Sequence, residues 1–342
     1  MNTMLQVVLS SPEVFENKEV DIPEVQKGQV LLKIRAVGIC GSDIHTYYGK
    51  HPFVHTPIVL GHEVTGEVVL TGEDVKKVSV GDRVVLRPQR TCGKCRSCRE
   101  GRYNICKELN VLGCLSTGAS SEYFAVEESI LYKLPSNLGF VSGTMIEPLA
   151  VGVHALRAGG FRPGCNVLVT GAGTIGNFTA QAAKALGAKT VMITDVSDQK
   201  LAKAQQSGID HTINVKDTNL KDAVKNMFPD DSLDLIMECS ASEIALNQVI
   251  DLAPKGINIV LEGVFEEFPR ADLASVQDKE LSLIGTLMYT DRDYVEAISL
   301  AKIGSINFDP LISKTFDLAE SADAYKYIEN NRDSAIKVVL TA

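Results

Sequence analysis

Four cysteines fall within fifteen positions of the segment TCGKCRSCREGRYNIC, residues 91–106. They are Cys92, Cys95, Cys98 and Cys106, in the spacing C-x2-C-x2-C-x7-C. Four thiolates this close in sequence can surround one tetrahedral ion, and zinc is the usual occupant. An iron–sulfur cluster and a redox-active C-x-x-C pair are the competing interpretations. Because protein would fill all four coordination positions, a zinc ion here would hold structure and do no chemistry.

The composition favours a metal site over a disulfide framework. A chain of 342 residues can bury a large core without covalent staples. The N-terminal stretch MNTMLQVVLSSPEVFENKEV has no signal or transit pattern, and no segment reaches the roughly 18 apolar residues of a membrane span. We therefore expect a cytoplasmic protein with reduced thiols. The net charge of −9 argues against nucleic acid or an anionic membrane as partner.

A second motif, GAGTIG, fits the pattern G-x-G-x-x-G. It follows the buried strand-like run NVLVTG and opens an Ala-rich helix-like segment, which is the context required for binding a dinucleotide. The three glycines would allow a tight turn, a close approach of the pyrophosphate, and close packing of helix on strand. The candidate cofactor-binding residues of this loop are Gly171, Gly173, Thr174, Ile175 and Gly176.

Asp195 ends the next strand-like run, TVMITD. An acid at this place accepts hydrogen bonds from the adenosine ribose hydroxyls and repels a 2′-phosphate, which favours NAD over NADP. Lys200, five residues further on, would either flank the adenine or be an ordinary exposed lysine of the following helix.

The pattern of apolar, polar and turn-forming residues along the chain predicts two domains. Residues 1–150 alternate apolar and polar residues between Gly- and Pro-marked turns, which indicates a β-rich domain. Residues 151–289 alternate strands and helices, which indicates a doubly wound α/β domain with six parallel strands. We expect residues 290–342 to return to the first domain.

A second set of metal ligands is spread along the chain. Cys40 lies in GICGSDIH, His62 and Glu63 lie in LGHEVTG, and Glu147 lies in TMIEPLAVG. Thiolate, imidazole and carboxylate groups are all zinc ligands. Taken singly, a cysteine is more often a small buried apolar residue and a glutamate is more often solvated.

The chain resembles the zinc-dependent medium-chain alcohol and polyol dehydrogenases from end to end. The resemblance rests on GICGSDIH, VLGHEVTGEV, the four-cysteine segment of about residues 91–107, EPLAVGVHA, and GAGTIG with Asp195. It implies a GroES-like catalytic domain beside a Rossmann domain that binds NAD. It also implies two zinc ions per subunit, one structural and one catalytic.

The resemblance also implies roles for single residues. Cys40, His62 and Glu147 match the catalytic-zinc positions, and Glu63 matches a glutamate that can exchange onto the zinc in polyol-type members. The alcohol-dehydrogenase branch has a cysteine in place of Glu147, so the chain looks like the polyol branch. A substrate hydroxyl on the zinc would lose its proton through Ser42 and then His45, and the zinc-bound alkoxide would pass hydride to NAD+.

The expected substrate is a secondary alcohol, namely a polyol, a sugar acid or an inositol-like ring. A threonine- or butanediol-type dehydrogenase of the same family is the alternative, and a non-catalytic sensor that keeps the fold is a third hypothesis. The family is usually dimeric or tetrameric, so we expect a homo-oligomer, with the apolar run LSLIGTLM as a candidate contact strand.

Overall fold

The computed structural model describes residues 3–342, which contain seventeen β-strands and eleven α-helices. The strands are β1 (Thr3–Ser11), β2 (Val14–Asp21), β3 (Gln29–Gly38), β4 (Glu63–Thr71), β5 (Arg83–Leu86), β6 (Gln89–Arg90), β7 (Asn110–Val111), β8 (Tyr123–Glu127), β9 (Leu131–Lys133), β10 (Asn166–Thr170), β11 (Thr190–Asp195), β12 (His211–Asn214), β13 (Leu235–Glu238), β14 (Asn258–Leu261), β15 (Ser282–Gly285), β16 (Ile312–Asp317) and β17 (Lys337–Thr341). The helices are α1 (Gly41–Tyr47), α2 (Arg96–Arg99), α3 (Phe140–Thr144), α4 (Ile146–Ala158), α5 (Thr174–Ala185), α6 (Asp198–Gln206), α7 (Leu220–Met227), α8 (Glu243–Leu252), α9 (Leu273–Asp278), α10 (Asp291–Lys302) and α11 (Ser321–Asn330).

The first of two compact units consists of Met1–Glu147 and Ile312–Ala342. Its main sheet has the order β16-β17-β3-β4-β5-β9, and β8 also pairs with β3. In the middle of β3, Leu32, Ile34 and Ala36 are fully buried, whereas Lys33 and Arg35 between them are partly exposed. This alternation places one face of the strand in the core. The last strand of the chain, β17, lies inside the sheet between β16 and β3.

The second unit, Pro148–Leu311, is a six-stranded sheet in the order β12-β11-β10-β13-β14-β15. All of its pairings are parallel. The run NVLVT of β10 is buried at every position, as expected for a central parallel strand covered on both faces. The strand order reverses between β10 and β13, so the predicted doubly wound α/β fold is confirmed.

The chain re-enters the first unit at a later residue than the sequence pattern predicted. Residues 291–311 belong to the second unit, not to the first. They pack on α5, where the backbone N–H of Asn307 donates to Oε1 of Gln181 at 2.7 Å and the rings of Phe178 and Phe308 are 5.7 Å apart. The predicted start at residue 290 missed this segment because its contacts with α5 join residues more than a hundred positions apart and leave no local signal.

Within residues 3–342, no helix combines the length and the apolar character that crossing a bilayer requires.

Candidate active site

The four-cysteine segment folds into one thiol cluster in the first unit. The Sγ atoms of Cys92 and Cys106 are 3.5 Å apart, those of Cys92 and Cys98 are 4.0 Å apart, and those of Cys95 and Cys106 are 4.0 Å apart. Four sulfurs at Zn–S bond length around a tetrahedral ion would be about 3.8 Å from one another. The cluster therefore fits a tetrahedral zinc ion without rearrangement.

Backbone amides point at these sulfurs. The N–H groups of Cys92 and Glu108 donate to Sγ of Cys106, and the N–H of Cys95 donates to Sγ of Cys92. Hydrogen bonds from the backbone N–H groups of Lys107 and Cys98 lower the pKa of Cys95 to about 6. These hydrogen bonds favour the thiolate of Cys95, which is the form that binds metal, whereas burial raises the pKa of Cys98 to about 12.

A second ligand cluster lies where two inner strands of the main sheet, β3 and β4, end and begin. Cys40 follows β3 and is the N-cap of α1, and Glu63 begins β4 directly after His62. One ligand atom from each of Cys40, His62 and Glu63 lies within 4.8 Å of the other two. Antiparallel pairing of Gly38 with Glu63 brings the two chain segments together. A soft, a borderline and a hard donor in this arrangement suit Zn²⁺.

Glu63 is also held by a lysine from the far end of the chain. Nζ of Lys337, on β17, lies 2.7 Å from both carboxylate oxygens of Glu63 and donates to the carbonyl oxygen of Ile39 at 3.0 Å. Burial lowers the pKa of Lys337, but Glu63, Cys40 and Glu147 outweigh it and raise the pKa overall. Lys337 therefore stays charged and balances part of the negative charge of the ligand cluster.

The imidazole of His62 is oriented by an acid on α1. Nδ1 of His62 lies 3.5 Å from Oδ1 of Asp43 and 3.9 Å from Sγ of Cys114. Oδ1 of Asp43 is buried without a hydrogen-bond partner in the part of the chain that the structure describes. Burial lowers the pKa of His62, but Asp43 and Cys114 raise it well above its usual value. The same negative groups would stabilise a bound cation in place of that proton, with Nε2 left for the metal.

Glu147, the last residue of the first unit, is buried in the first turn of α4. The 4.8 Å ligand cluster does not include it, although its charge acts on Lys337. Ser42 and His45 both lie on α1, three residues apart and therefore on one face of the helix, and both are half-buried. The short helix α1 thus carries Ser42, Asp43 and His45 directly after the thiol of Cys40.

The GAGTIG loop of the second unit connects β10 to α5, and Gly173 is the N-cap of that helix. Gly171 has φ +88°, and a Cβ on Gly176 would lie 1.8 Å from the carbonyl oxygen of Gly171. No other residue fits that place. Nδ2 of the buried Asn177 donates to the carbonyl oxygens of Ala172 and Gly173 and braces the loop. Thr174 and Ile175 begin α5, whose N-terminal N–H groups can face an anion.

Asp195, at the end of β11, lies beside this loop. Its Oδ2 accepts from the N–H of Ala172 at 2.7 Å and its Oδ1 accepts from the N–H of Ser197 at 2.9 Å. Lys200 lies in the first turn of α6, where its N–H donates to Oγ of Ser197. The carboxylate is therefore fixed in orientation and adjoins the turn predicted to hold a pyrophosphate.

Sequence reasoning missed three residues that contact the ligand cluster of Cys40, His62 and Glu63. Asp43 lies within a motif that was recognised, but its contact with His62 depends on the fold. Cys114 has no ligand-like spacing to other cysteines in the sequence, yet it lies beside His62. Lys337 lies 274 residues from its partner Glu63, and a single lysine in a terminal strand carries no signal of its own.

Comparison with known proteins assigns the family. Residues 26–136 match the alcohol dehydrogenase GroES-like domain, and residues 174–302 match the zinc-binding dehydrogenase domain. The chain is 35% identical to sorbitol dehydrogenase 1 of Saccharomyces cerevisiae, over 91% of this chain and 90% of that protein.

Solved structures support the same family assignment. An alcohol dehydrogenase of Escherichia coli CFT073 in complex with NADH superimposes with a TM-score of 0.92 at 32% identity, and the match covers all of both chains. A zinc-binding dehydrogenase of Sinorhizobium meliloti 1021 bound to NADP superimposes with a TM-score of 0.90 at 29% identity, again over all of both chains. The predicted resemblance is confirmed, and the chain belongs to the zinc-dependent medium-chain dehydrogenases.

Proposed function

We propose that the protein oxidises a secondary alcohol group of a polyol, a sugar acid or an inositol-like ring, with NAD+ as hydride acceptor. The observation that carries the proposal is the ligand cluster of Cys40, His62 and Glu63 in a chain that also has the GAGTIG loop. The ligand cluster is suited to activating an alcohol oxygen through a metal ion, and the GAGTIG loop is suited to holding a dinucleotide.

Two zinc ions per subunit are part of this proposal. Cys92, Cys95, Cys98 and Cys106 would hold the structural ion, and Cys40 and His62 would hold the catalytic ion together with Glu63, Glu147 or both in turn. The catalytic ion, when bound, would act as a Lewis acid on the substrate oxygen. Lys337 would keep Glu63 aimed at the site and would limit the net charge of the ligands.

Ser42 and His45 would carry the alcohol proton away. Both lie on the same face of α1, two and five residues after the N-cap residue Cys40. The hydroxyl of Ser42 can accept and donate in the same step, so it suits the first position. An imidazole can accept a proton on one ring nitrogen and release one from the other, which suits His45 to the step that delivers the proton to water.

Three donor side chains favour a polyhydroxylated substrate over a simple alcohol. The segment after α1 supplies the donors Tyr48, Lys50 and His51. Nδ1 of His51 accepts from the N–H of Phe53 at 3.3 Å, which leaves Nε2–H as a donor. Burial, and then the electrostatic effect of His45, lower the pKa of His51, which favours the neutral form of this donor. A threonine- or butanediol-type dehydrogenase is the alternative.

A preference for NAD over NADP rests on Asp195. Its carboxylate is fixed by two backbone N–H groups and would repel a 2′-phosphate. We also propose that a second copy of the chain pairs along β15, an edge strand of the second unit with exposed Val264, Phe268 and Leu287 in the loops around it. Light scattering that gives the mass of a monomer would contradict this pairing.

The test of the function is a substrate screen on the zinc-loaded protein, with NADH formation followed by absorbance. Polyols, aldonates and inositols are expected to reduce NAD+, whereas threonine and butanediol are the alternative outcome. Cys40→Ser should abolish turnover while Cys165→Ser, in the second unit, retains it. Turnover that survives complete removal of zinc would contradict the proposal, and NADH binding without turnover of any alcohol would favour a sensor.

A further inference from the structure

Two buried acids lie in the second unit, outside all the residues assigned above. Glu238 is the last residue of β13, and Glu262 directly follows β14. Both are buried, and the backbone N–H of Glu262 donates to the carbonyl oxygen of Glu238 at 2.9 Å. Buried acids are rare unless their charge is compensated, so each needs an explanation.

Glu238 has an ordinary structural explanation. Its carboxylate accepts from the N–H groups of Ser240 and Ala241 and from the hydroxyls of Ser240 and Thr170. These donors satisfy the buried carboxyl group and shape the turn after β13, in which Ala241 has φ +52°.

Glu262 has much weaker partners. The hydroxyl of Thr179, on α5, is 3.0 Å from both carboxylate oxygens and has one proton to give. The thiol of Cys239 lies 3.2 Å from Oε2 and is a weak donor. Within residues 3–342, the hydrogen-bond donors of this carboxyl group include no lysine, no arginine and no backbone N–H.

The protonated and the ionised forms of Glu262 are therefore close in free energy near neutral pH. Burial raises its pKa to about 7, the bonds from Cys239 and Thr179 oppose the rise, and the charge of Glu238 adds to it. Burial likewise raises the pKa of Cys239 well above its usual value, so the thiol keeps its proton. The carboxyl group is the one that changes charge near neutral pH.

The topology places Glu262 on one half of the coenzyme site. In a doubly wound sheet the dinucleotide lies outside the carboxyl ends of the strands, across the point where the strand order reverses. Here β10 to β12, with Asp195, form the adenosine half, and β13 to β15 form the nicotinamide half. Glu262 lies at the carboxyl end of β14 and faces α5, the helix that GAGTIG opens.

We propose that Glu262 sets the relative affinity of the protein for oxidised and reduced coenzyme, by holding a negative charge beneath the nicotinamide half when NAD+ is bound and a proton when NADH is bound. The inference rests on the proposed use of NAD. The ring of NAD+ carries a positive charge and that of NADH does not, so only NAD+ gains from an ionised Glu262. The proton is exchanged with water and takes no part in hydride transfer.

Linkage determines the sign of the effect. NAD+ binding favours the ionised form, so NAD+ affinity rises with pH through the titration of Glu262, whereas NADH affinity does not. Glu238 and Cys239 are the titratable groups that act on Glu262, and α5 faces it with the neutral Thr179. Glu238 keeps strong donors and Cys239 keeps its proton, so Glu262 is the origin of the pH dependence.

The test is the ratio of the Kd for NADH to the Kd for NAD+, measured by fluorescence titration of the zinc-loaded protein between about pH 6 and about pH 8.5. We expect the ratio to rise about tenfold in the native chain and to stay flat in Glu262→Gln. A ratio with the same pH profile in both proteins would overturn the inference. Failure of the native chain to bind either coenzyme would instead contradict the proposed function.

Cys239→Ser keeps the proposal testable if Glu262→Gln does not fold. A hydroxyl donates more strongly than a thiol, so it should lower the pKa of Glu262 and move the midpoint of the ratio to lower pH. An unmoved midpoint would contradict the inference. Infrared difference spectra of the NADH-loaded and NAD+-loaded protein add an independent readout, because a protonated carboxyl band should appear with NADH in the native chain and be absent in Glu262→Gln.

Discussion

Nζ of Lys337 lies 2.7 Å from both carboxylate oxygens of Glu63, and neither side chain is more than 1% exposed. A buried pair of this kind stabilises a fold only weakly, but removing one partner leaves the other charge uncompensated. Because Glu63 is also a candidate zinc ligand, the pair ties the stability of the first unit to the charge of its metal site.

Lys337→Met should therefore lower the free energy of unfolding by about 3 kcal/mol, the usual cost of an unpaired buried charge. Lys337→Arg keeps the positive charge and should recover part of the loss. Urea unfolding of the three proteins measures this, with zinc content determined in parallel. Equal stability of Lys337→Met and the native chain would show that the pair contributes nothing.

Gly38→Ala tests the position of Glu63 by sterics. A Cβ at residue 38 would lie 2.0 Å from Oε2 of Glu63, so the carboxylate has to move. Gly41→Ala is the matched control, because nothing lies within 4 Å of its Cβ. We expect Gly38→Ala to weaken zinc retention against a competing chelator by about tenfold, which corresponds to loss of one well-placed partner. Indistinguishable retention in the two variants would argue against a role for Glu63 at the metal.

Removing one thiol should empty the four-cysteine cluster. The native chain is expected to carry about two zinc ions and Cys98→Ser about one, because a structural site needs all four ligands. Its loop has few apolar residues to hold it folded, so trypsin should then cut at Lys94, Arg96 or Arg99. Mass spectrometry of the fragments identifies the cut. The control Cys165→Ser should keep both zinc ions and resist trypsin. Resistance of Cys98→Ser to trypsin would exclude a structural zinc.

Asp195→Asn should change the choice of coenzyme. The amide oxygen keeps one acceptor for the neighbouring backbone N–H groups, whereas the charge that repels a 2′-phosphate is lost. We expect the ratio of kcat/KM for NAD+ to that for NADP+ to fall by about 100-fold. Steady-state kinetics with both coenzymes measures it. An unchanged ratio would place the determinant elsewhere.

Glu262→Gln should stabilise the protein at high pH. The pKa of Glu262 rises from 4.5 to about 7 on folding, so ionisation opposes folding. The native chain therefore loses stability between about pH 4.5 and about pH 7, by up to about 3 kcal/mol, and the glutamine variant does not. Urea midpoints should coincide near pH 4.5 and diverge near pH 8. Glu267→Gln, exposed in the same loop, should follow the native chain throughout.

Sequence patterns predicted those strands and loops whose structure depends on residues close to one another in the sequence. The alternation in QVLLKIRAVG predicts β3 residue for residue, because one face of that strand is buried. The GAGTIG loop was recognisable since only glycine tolerates the approach of Gly176 to the carbonyl oxygen of Gly171.

Side chains whose importance comes from distant partners were not predictable in this way. Lys337 reads as an ordinary strand lysine, and Glu262 reads as one of several acids in LEGVFEEF. Each owes its properties to burial against residues far away in sequence, namely Glu63 for the lysine and Thr179 for the acid. The start of the return segment was also misplaced, because the contact of Phe308 with Phe178 is not visible in either local sequence.

The position of β17 inside the main sheet has a consequence for synthesis on the ribosome. The sheet is hydrogen-bonded through its C-terminal strand, which also delivers the ammonium group for Glu63. The second unit is continuous and can fold as soon as it emerges, but the main sheet of the first cannot close until β17 has emerged. The first unit is thus completed after the second, and a nascent chain holds its metal ligands without their counter-charge until Lys337 has been added.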